Sequence, residues 1–162
     1  MRKMLSALMQ KLRTLSDRFI DWFWARRGWF TFTTSERSLK ELCLGPHWWD
    51  NQPFANQPGE VRKLRLNISA VPNSFNKTWA EQQKLLKRGE FVPTVRDLVE
   101  GLITYQKTRK RIPVGYWVRT GSVFLPRDRI SVRFSSGGVD VYYALSDIRG
   151  SRLGLLVAQK ST

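Results

Sequence analysis

Ile130-Ser131-Val132-Arg133-Phe134, Ser135-Ser136-Gly137-Gly138 and Val139-Asp140-Val141-Tyr142-Tyr143 form the stretch that decides the fold. Apolar and polar side chains alternate through 130–134, the period of a strand with one buried face. The Ser-Ser-Gly-Gly tetrad suits a hairpin turn, and 139–143 return as the second strand. By the same alternation, one of Tyr142 and Tyr143 is expected to point into the core. Outward from this hairpin, Tyr116-Trp117-Val118-Arg119-Thr120 reads as a strand. Arg152-Leu153-Gly154-Leu155-Leu156-Val157-Ala158 is continuously apolar and reads as a central, buried strand. Upstream, residues 61–68 alternate at Leu64, Leu66 and Ile68. Asn76 or Thr78 can cap a helix holding Trp79, Gln82, Gln83, Leu85 and Leu86, with Gly89 past its end. Thr94, with Asp97 three residues on, can cap a second helix whose apolar face is Val95, Leu98, Val99, Leu102 and Ile103. The order after residue 60 is β-α-α-β-β-β-β. That is an α+β domain over 59–162, with two helices followed by a short-stranded antiparallel sheet.

The first 58 residues read differently. Leu5, Leu8, Leu12, Leu15 and Phe19 recur at spacings of three and four, which predicts an amphipathic helix over 3–24. It runs into an aromatic-basic patch of Trp22, Phe23, Trp24, Arg26, Arg27, Trp29 and Phe30. Three placements are open for this helix: against its own domain, against a partner helix, or on a membrane surface. Thr31-Phe32-Thr33 fits a short strand, and 35–42 a helical turn or two. Gly45-Pro46, Gln52-Pro53 and Gln57-Pro58-Gly59 then punctuate a loop. This predicts a boundary near 50–59, with 1–58 an irregular extension.

Length and composition bound the function. The chain has 162 residues, 41% of them hydrophobic and 12% aromatic, enough for a packed core. A disordered or collagen-like chain is excluded. Charged residues break every apolar run short of about 18 residues, so no membrane span or secretory signal is expected and a cytoplasmic location is. The net charge is +15. Residues 1–60 carry +3, 61–113 carry +8 and 114–162 carry +4. The cluster Lys107, Arg109, Lys110 and Arg111 sits in the most basic third. It points to nucleic acid or an anionic surface, or to a solvated helix end.

Catalytic patterns are weak. Cys43, His47 and Asp50 are the one grouping of ligand-type side chains, and Gly45-Pro46 interrupts it. A single cysteine excludes a disulfide framework and a multi-cysteine zinc site. No phosphate-cradling glycine loop or nucleophile elbow is present. The expectation is a non-enzymatic chain with no cofactor and no metal.

Three stretches carry a family resemblance. Tyr116-Trp117-Val118-Arg119-Thr120-Gly121-Ser122 resembles a YW-x-[RS]-[ST]-S strand, and Arg133-Phe134-Ser135-Ser136-Gly137-Gly138-Val139 an F-x-S-G-x-V hairpin. Arg149-Gly150-Ser151-Arg152-Leu153-Gly154-Leu155 resembles an RG-x-x-[VL]-x-L strand. Together with the element order, residues 61–162 resemble the C-type lectin-fold variable proteins of diversity-generating retroelements, related to the formylglycine-generating-enzyme-like fold. In that family, error-prone reverse transcription rewrites adenine-containing codons near the end of the gene, and the fold displays the altered side chains. The EPN, QPD and WND signatures of calcium-dependent lectins are missing from the late sheet, and Cys43 has no second thiol beside it. The resemblance therefore implies neither calcium-dependent sugar binding nor catalysis. It implies a hypervariable ligand-binding surface over 116–152, in bacteria or archaea, for an unidentified protein or other macromolecule. Tyr116, Trp117 and Arg119 fall in its first strand. Tyr142 and Tyr143 offer contact area at low rotamer cost. Arg127, Arg129, Arg149 and Arg152 offer planar donors. Asp128, Asp140, Ser146 and Asp147 add polar contacts.

Overall fold

A computed structural model describes residues 9–11, 14–15, 28–109, 111, 115–135 and 138–161. Among the described residues from 28 onward, the elements run β1 (Trp29–Thr33), α1 (Leu39–Leu42), α2 (Pro53–Asn56), β2 (Lys63–Asn67), α3 (Trp79–Gln83), α4 (Val95–Arg109), β3 (Trp117–Val123), β4 (Asp128–Ser135), β5 (Gly138–Leu145), β6 (Leu153–Leu155) and β7 (Ala158–Lys160). The chain is mixed α+β, as expected. Its strands form two sheets, of order β1-β2-β7 and β5-β4-β3-β6. The first is antiparallel throughout. In the second, β5, β4 and β3 are antiparallel but β6 runs parallel to β3.

Three helices start at side-chain caps, and α2 starts on Pro53 without one. Ser38 with Glu41, and Thr78 with Glu81, form reciprocal capping boxes at α1 and α3. Thr94 Oγ1 accepts from the Asp97 amide at 3.2 Å. In α4, Val95, Leu98, Val99 and Leu102 are 0–1% exposed and pack on Phe32, Leu64, Leu66, Ile130 and Val132. Burying each such side chain stabilises by about 1.5–3 kcal/mol. Gly101 lets the helix approach: a Cβ there would lie 2.7 Å from the Phe32 ring.

Three expectations need correction. The first is the boundary near 50–59. β1 pairs with β2 across it, and Leu39, Trp49, Phe54 and Ala55 share one core with Leu64, Leu98 and Ile130. Residues 28–58 are therefore part of the packed unit, not an extension. The second is the single strand over 152–158. It is two three-residue strands at the edges of different sheets, joined by the buried Leu156 and Val157. The run is apolar because the chain passes between the sheets, not because it is central in one. The third is Tyr142 and Tyr143, of which one was expected inside. Alternation does put Tyr143 on the core face, beside Ile130, but at the rim of an edge strand. It is 37% exposed and Tyr142 57%.

Of the helix predicted over 3–24, residues 9–11 and 14–15 are helical, and Thr14 donates to the Gln10 carbonyl at 2.8 Å. The remainder lies outside the described residues, as does the turn at Ser136-Gly137. Among the described residues, no helix is long and apolar enough to cross a membrane.

Candidate functional site

The outward face of the four-stranded sheet follows from its register. Trp117 and Arg119 of β3, Arg129, Ser131 and Arg133 of β4, Asp140, Tyr142 and Ala144 of β5, and Leu153 of β6 share that face. Half of it is covered. Arg129 lies over the Trp79 ring of α3 at 4.5 Å and donates to the Gly121 carbonyl at 3.2 Å. Arg119 is fully buried and donates to Lys77 O at 2.8 Å, to Gln82 Oε1 at 3.1 Å and to Ile148 O. Burial pushes its guanidinium below the usual value, with Asp147 opposing. Gln82, also fully buried, donates onward to Ser74 O and Leu153 O.

The other half is open. There Trp117, Ser131, Tyr142, Ala144, Arg152 and Leu153 line a cavity of about 340 Å³, with Gly150 and Ser151 also at its wall. The Trp117 and Tyr142 rings stand 6.1 Å apart, tilted by 58°. Arg133 lies over Trp117 at 5.0 Å and is paired with Asp140 at 2.8 Å. Ser131 is 2% exposed and, among the described residues, its hydroxyl has no hydrogen-bond partner. Arg152 is exposed, and no described residue bonds its guanidinium.

The rings continue around the edge of the sheet. Tyr142 stacks on Tyr143 at 5.2 Å, Tyr143 on Phe124 at 4.7 Å, and Trp48 meets both Phe124 and Tyr143 edge-on. Trp48 Nε1 donates to the Val141 carbonyl at 3.1 Å on the free edge of β5. That side chain occupies an edge that another strand could otherwise pair with.

The structure thus divides the sequence-predicted surface. Trp117, Tyr142 and Arg152 come together at the cavity, with Asp140 beside them. Arg127 and Asp147 are exposed on loops at the other end of the hairpin. Ser146 there donates from both its amide and its hydroxyl to Arg127 O. Arg149 is paired with Glu81 at 2.7 Å. Three residues are not displayed. Arg119 and Asp128 are buried, and Tyr116 is half-buried edge-on to Phe75. Ser131, Arg133 and Trp48 are additions. The alternation of 130–134 already set Ser131 and Arg133 on one face, but the reach of Trp48 across 93 residues of chain carries no local signal.

The basic cluster lies elsewhere. Lys107, Arg109 and Arg111 are exposed, and Lys110 lies outside the described residues. Arg109 and Arg111 line a second cavity, of about 490 Å³, with Phe30, Ile68, Ser69 and Tyr105. Cys43 is buried, and burial first, Asp50 second, pushes its thiol up to about 11. Asp50 accepts the His47 amide at 2.9 Å, and the His47 ring stacks on Trp49. Among the described residues, no group of three His, Cys, Asp or Glu side chains is placed to hold a metal ion.

The chain matches no family model, no curated protein and no solved structure.

Proposed function

We propose that the chain is a non-enzymatic ligand-binding and display protein of C-type lectin-like architecture. Its surface within residues 116–152 is the hypervariable target of a diversity-generating retroelement. One observation carries this reading. The open half of the sheet gathers Trp117, Tyr142 and Arg152 around an apolar cavity, with Arg133 over the Trp117 ring, on a face whose other half is anchored by buried Arg119 and Gln82. Aromatic and arginine side chains on a rigid scaffold are the composition of a recognition surface. Buried Arg119 and Asp128 belong to the scaffold in this reading, and Trp117, Arg127, Asp140, Tyr142, Tyr143, Asp147 and Arg152 to the surface.

The test is the DNA around the gene. A downstream near-copy of codons 115–155, with mismatches at template adenines and a reverse transcriptase frame beside it, is the expected finding. A locus with neither removes the retroelement from this reading.

A second reading rests on the cavity at Arg109 and Arg111 within a chain of charge +15. Nucleic acid bound there would lose affinity steeply with salt. Replacing Lys107, Arg109, Lys110 and Arg111 together by Ala would weaken it at low salt. Affinity unchanged by those replacements would sink this reading.

A further inference from the structure

We propose that the cavity between Trp117 and Tyr142 seats an aromatic carboxylate, its ring against the two aromatic side chains and its carboxylate on Arg152. This rests on the reading of the open sheet face as a binding surface, and it names the ligand's chemistry.

Size limits the occupant first. Ligand cavities run from about 300 to 1,000 Å³, and this one holds about 340 Å³. One ring with a short tail suits that space. The walls select for an apolar, planar body. Trp117 and Tyr142 form a tilted wedge, and Ala144 and Leu153 complete it without a polar atom in their side chains. Aromatic rings favour such offset and edge-on contacts.

The polar groups select the tail. Arg152 brings a guanidinium that no described residue bonds, and its fork matches a carboxylate. Charge count separates carboxylate from phosphate. Arg133, the other guanidinium at the site, already pairs with Asp140. One free positive charge balances a carboxylate, whereas a phosphate dianion needs two. The ligand is therefore a free aromatic acid or the C-terminal aromatic residue of another chain, which share this chemistry.

The experiment titrates the full chain, labelled with ¹⁵N, and follows the Trp117 indole resonance, assigned with Trp117→Phe. The probes are N-acetyl-L-phenylalanine, N-acetyl-L-phenylalaninamide, and a tetrapeptide ending in Phe with a free C-terminus. The expected result is a saturable shift with the acid and about two- to fivefold weaker binding of the amide. Arg152→Gln should abolish that difference. A peptide that binds more tightly than the amino acid assigns the ligand to a chain terminus; equal binding assigns it to a free acid. Equal affinity for acid and amide overturns the carboxylate assignment while leaving the face a binding surface. No saturable shift with any probe overturns the proposal, whereas failure of the retroelement reading is seen separately, in the gene's surroundings.

Discussion

Arg119 shows how a residue's role changes with its surroundings. In sequence it is one of several arginines in a contact-rich segment. In the fold it is fully buried and gathers Lys77 O, Gln82 Oε1 and Ile148 O beneath the loop that carries Arg149 and Arg152. Arg119→Met leaves those three acceptors without a donor. It should cost about 3 kcal/mol in urea unfolding. Arg119→Lys should recover less than half, because one ammonium cannot span acceptors that a planar fork reaches. A loss below about 1 kcal/mol for Arg119→Met would show that the network is dispensable.

At the scale of elements, α4 and α3 each carry a prediction. Gly101 sits where α4 crosses Phe32. Alanine would gain about 1 kcal/mol in helix propensity. Its Cβ would also meet the Phe32 ring at 2.7 Å and Leu66 at 3.1 Å, an overpacking that costs about 1–3 kcal/mol. The clash wins, because both neighbours are buried. Gly101→Ala is expected to lower stability, and a raised midpoint would contradict that. For α3, the Thr78 backbone amide, then Arg149, hold the Glu81 carboxyl down to about 2. A carboxyl depressed in the folded state stabilises above its unfolded value, near 4.5, and loses that contribution as pH falls towards 2. Thr78 and Arg149 resonances followed from pH 5 to pH 2 should shift through this window. In Glu81→Gln they should not. The Thr78 cap, as one of two candidates, the Thr94–Asp97 start and the face of α4 were legible in sequence, because each is set by neighbours within four residues. The split of 152–158 was not, because its two halves answer to partners in different sheets.

At the scale of the molecule, an ion-pair network ties the two sides of the expected boundary. Arg96, Asp97 and Glu100 in the first turns of α4 are 4–6% exposed. Arg96 donates to Arg37 O at 2.7 Å and pairs with Asp97 and Glu100, Glu100 accepts from the Ser35 amide and hydroxyl, and Arg62 bonds Asp97. Gly59 passes so close to the Arg96 guanidinium that a side chain there would push Arg96 out of its place in this network. A chain beginning at residue 59 loses β1, α1 and α2, bares Leu64, Leu66 and Leu98, and strands Glu100 without Ser35. It should fail to give a cooperative unfolding transition, whereas the full chain should unfold with coincident fluorescence and circular dichroism curves. A cooperative transition from 59–162 alone would restore the two-part organisation.

By itself, the sequence determined the mixed α+β class, the hairpin at 130–143, and the capped start and apolar face of α4. Each of these depends on period and on near neighbours, which a linear chain displays. Tertiary structure alone decided that residues 28–58 complete the core and that 152–158 serves two sheets. It also decided which half of the outer face stays open, and so which of the predicted surface residues are exposed. Those outcomes depend on contacts between residues far apart in sequence, such as Trp48 with Val141 and Arg119 with Gln82. No spacing rule carries them.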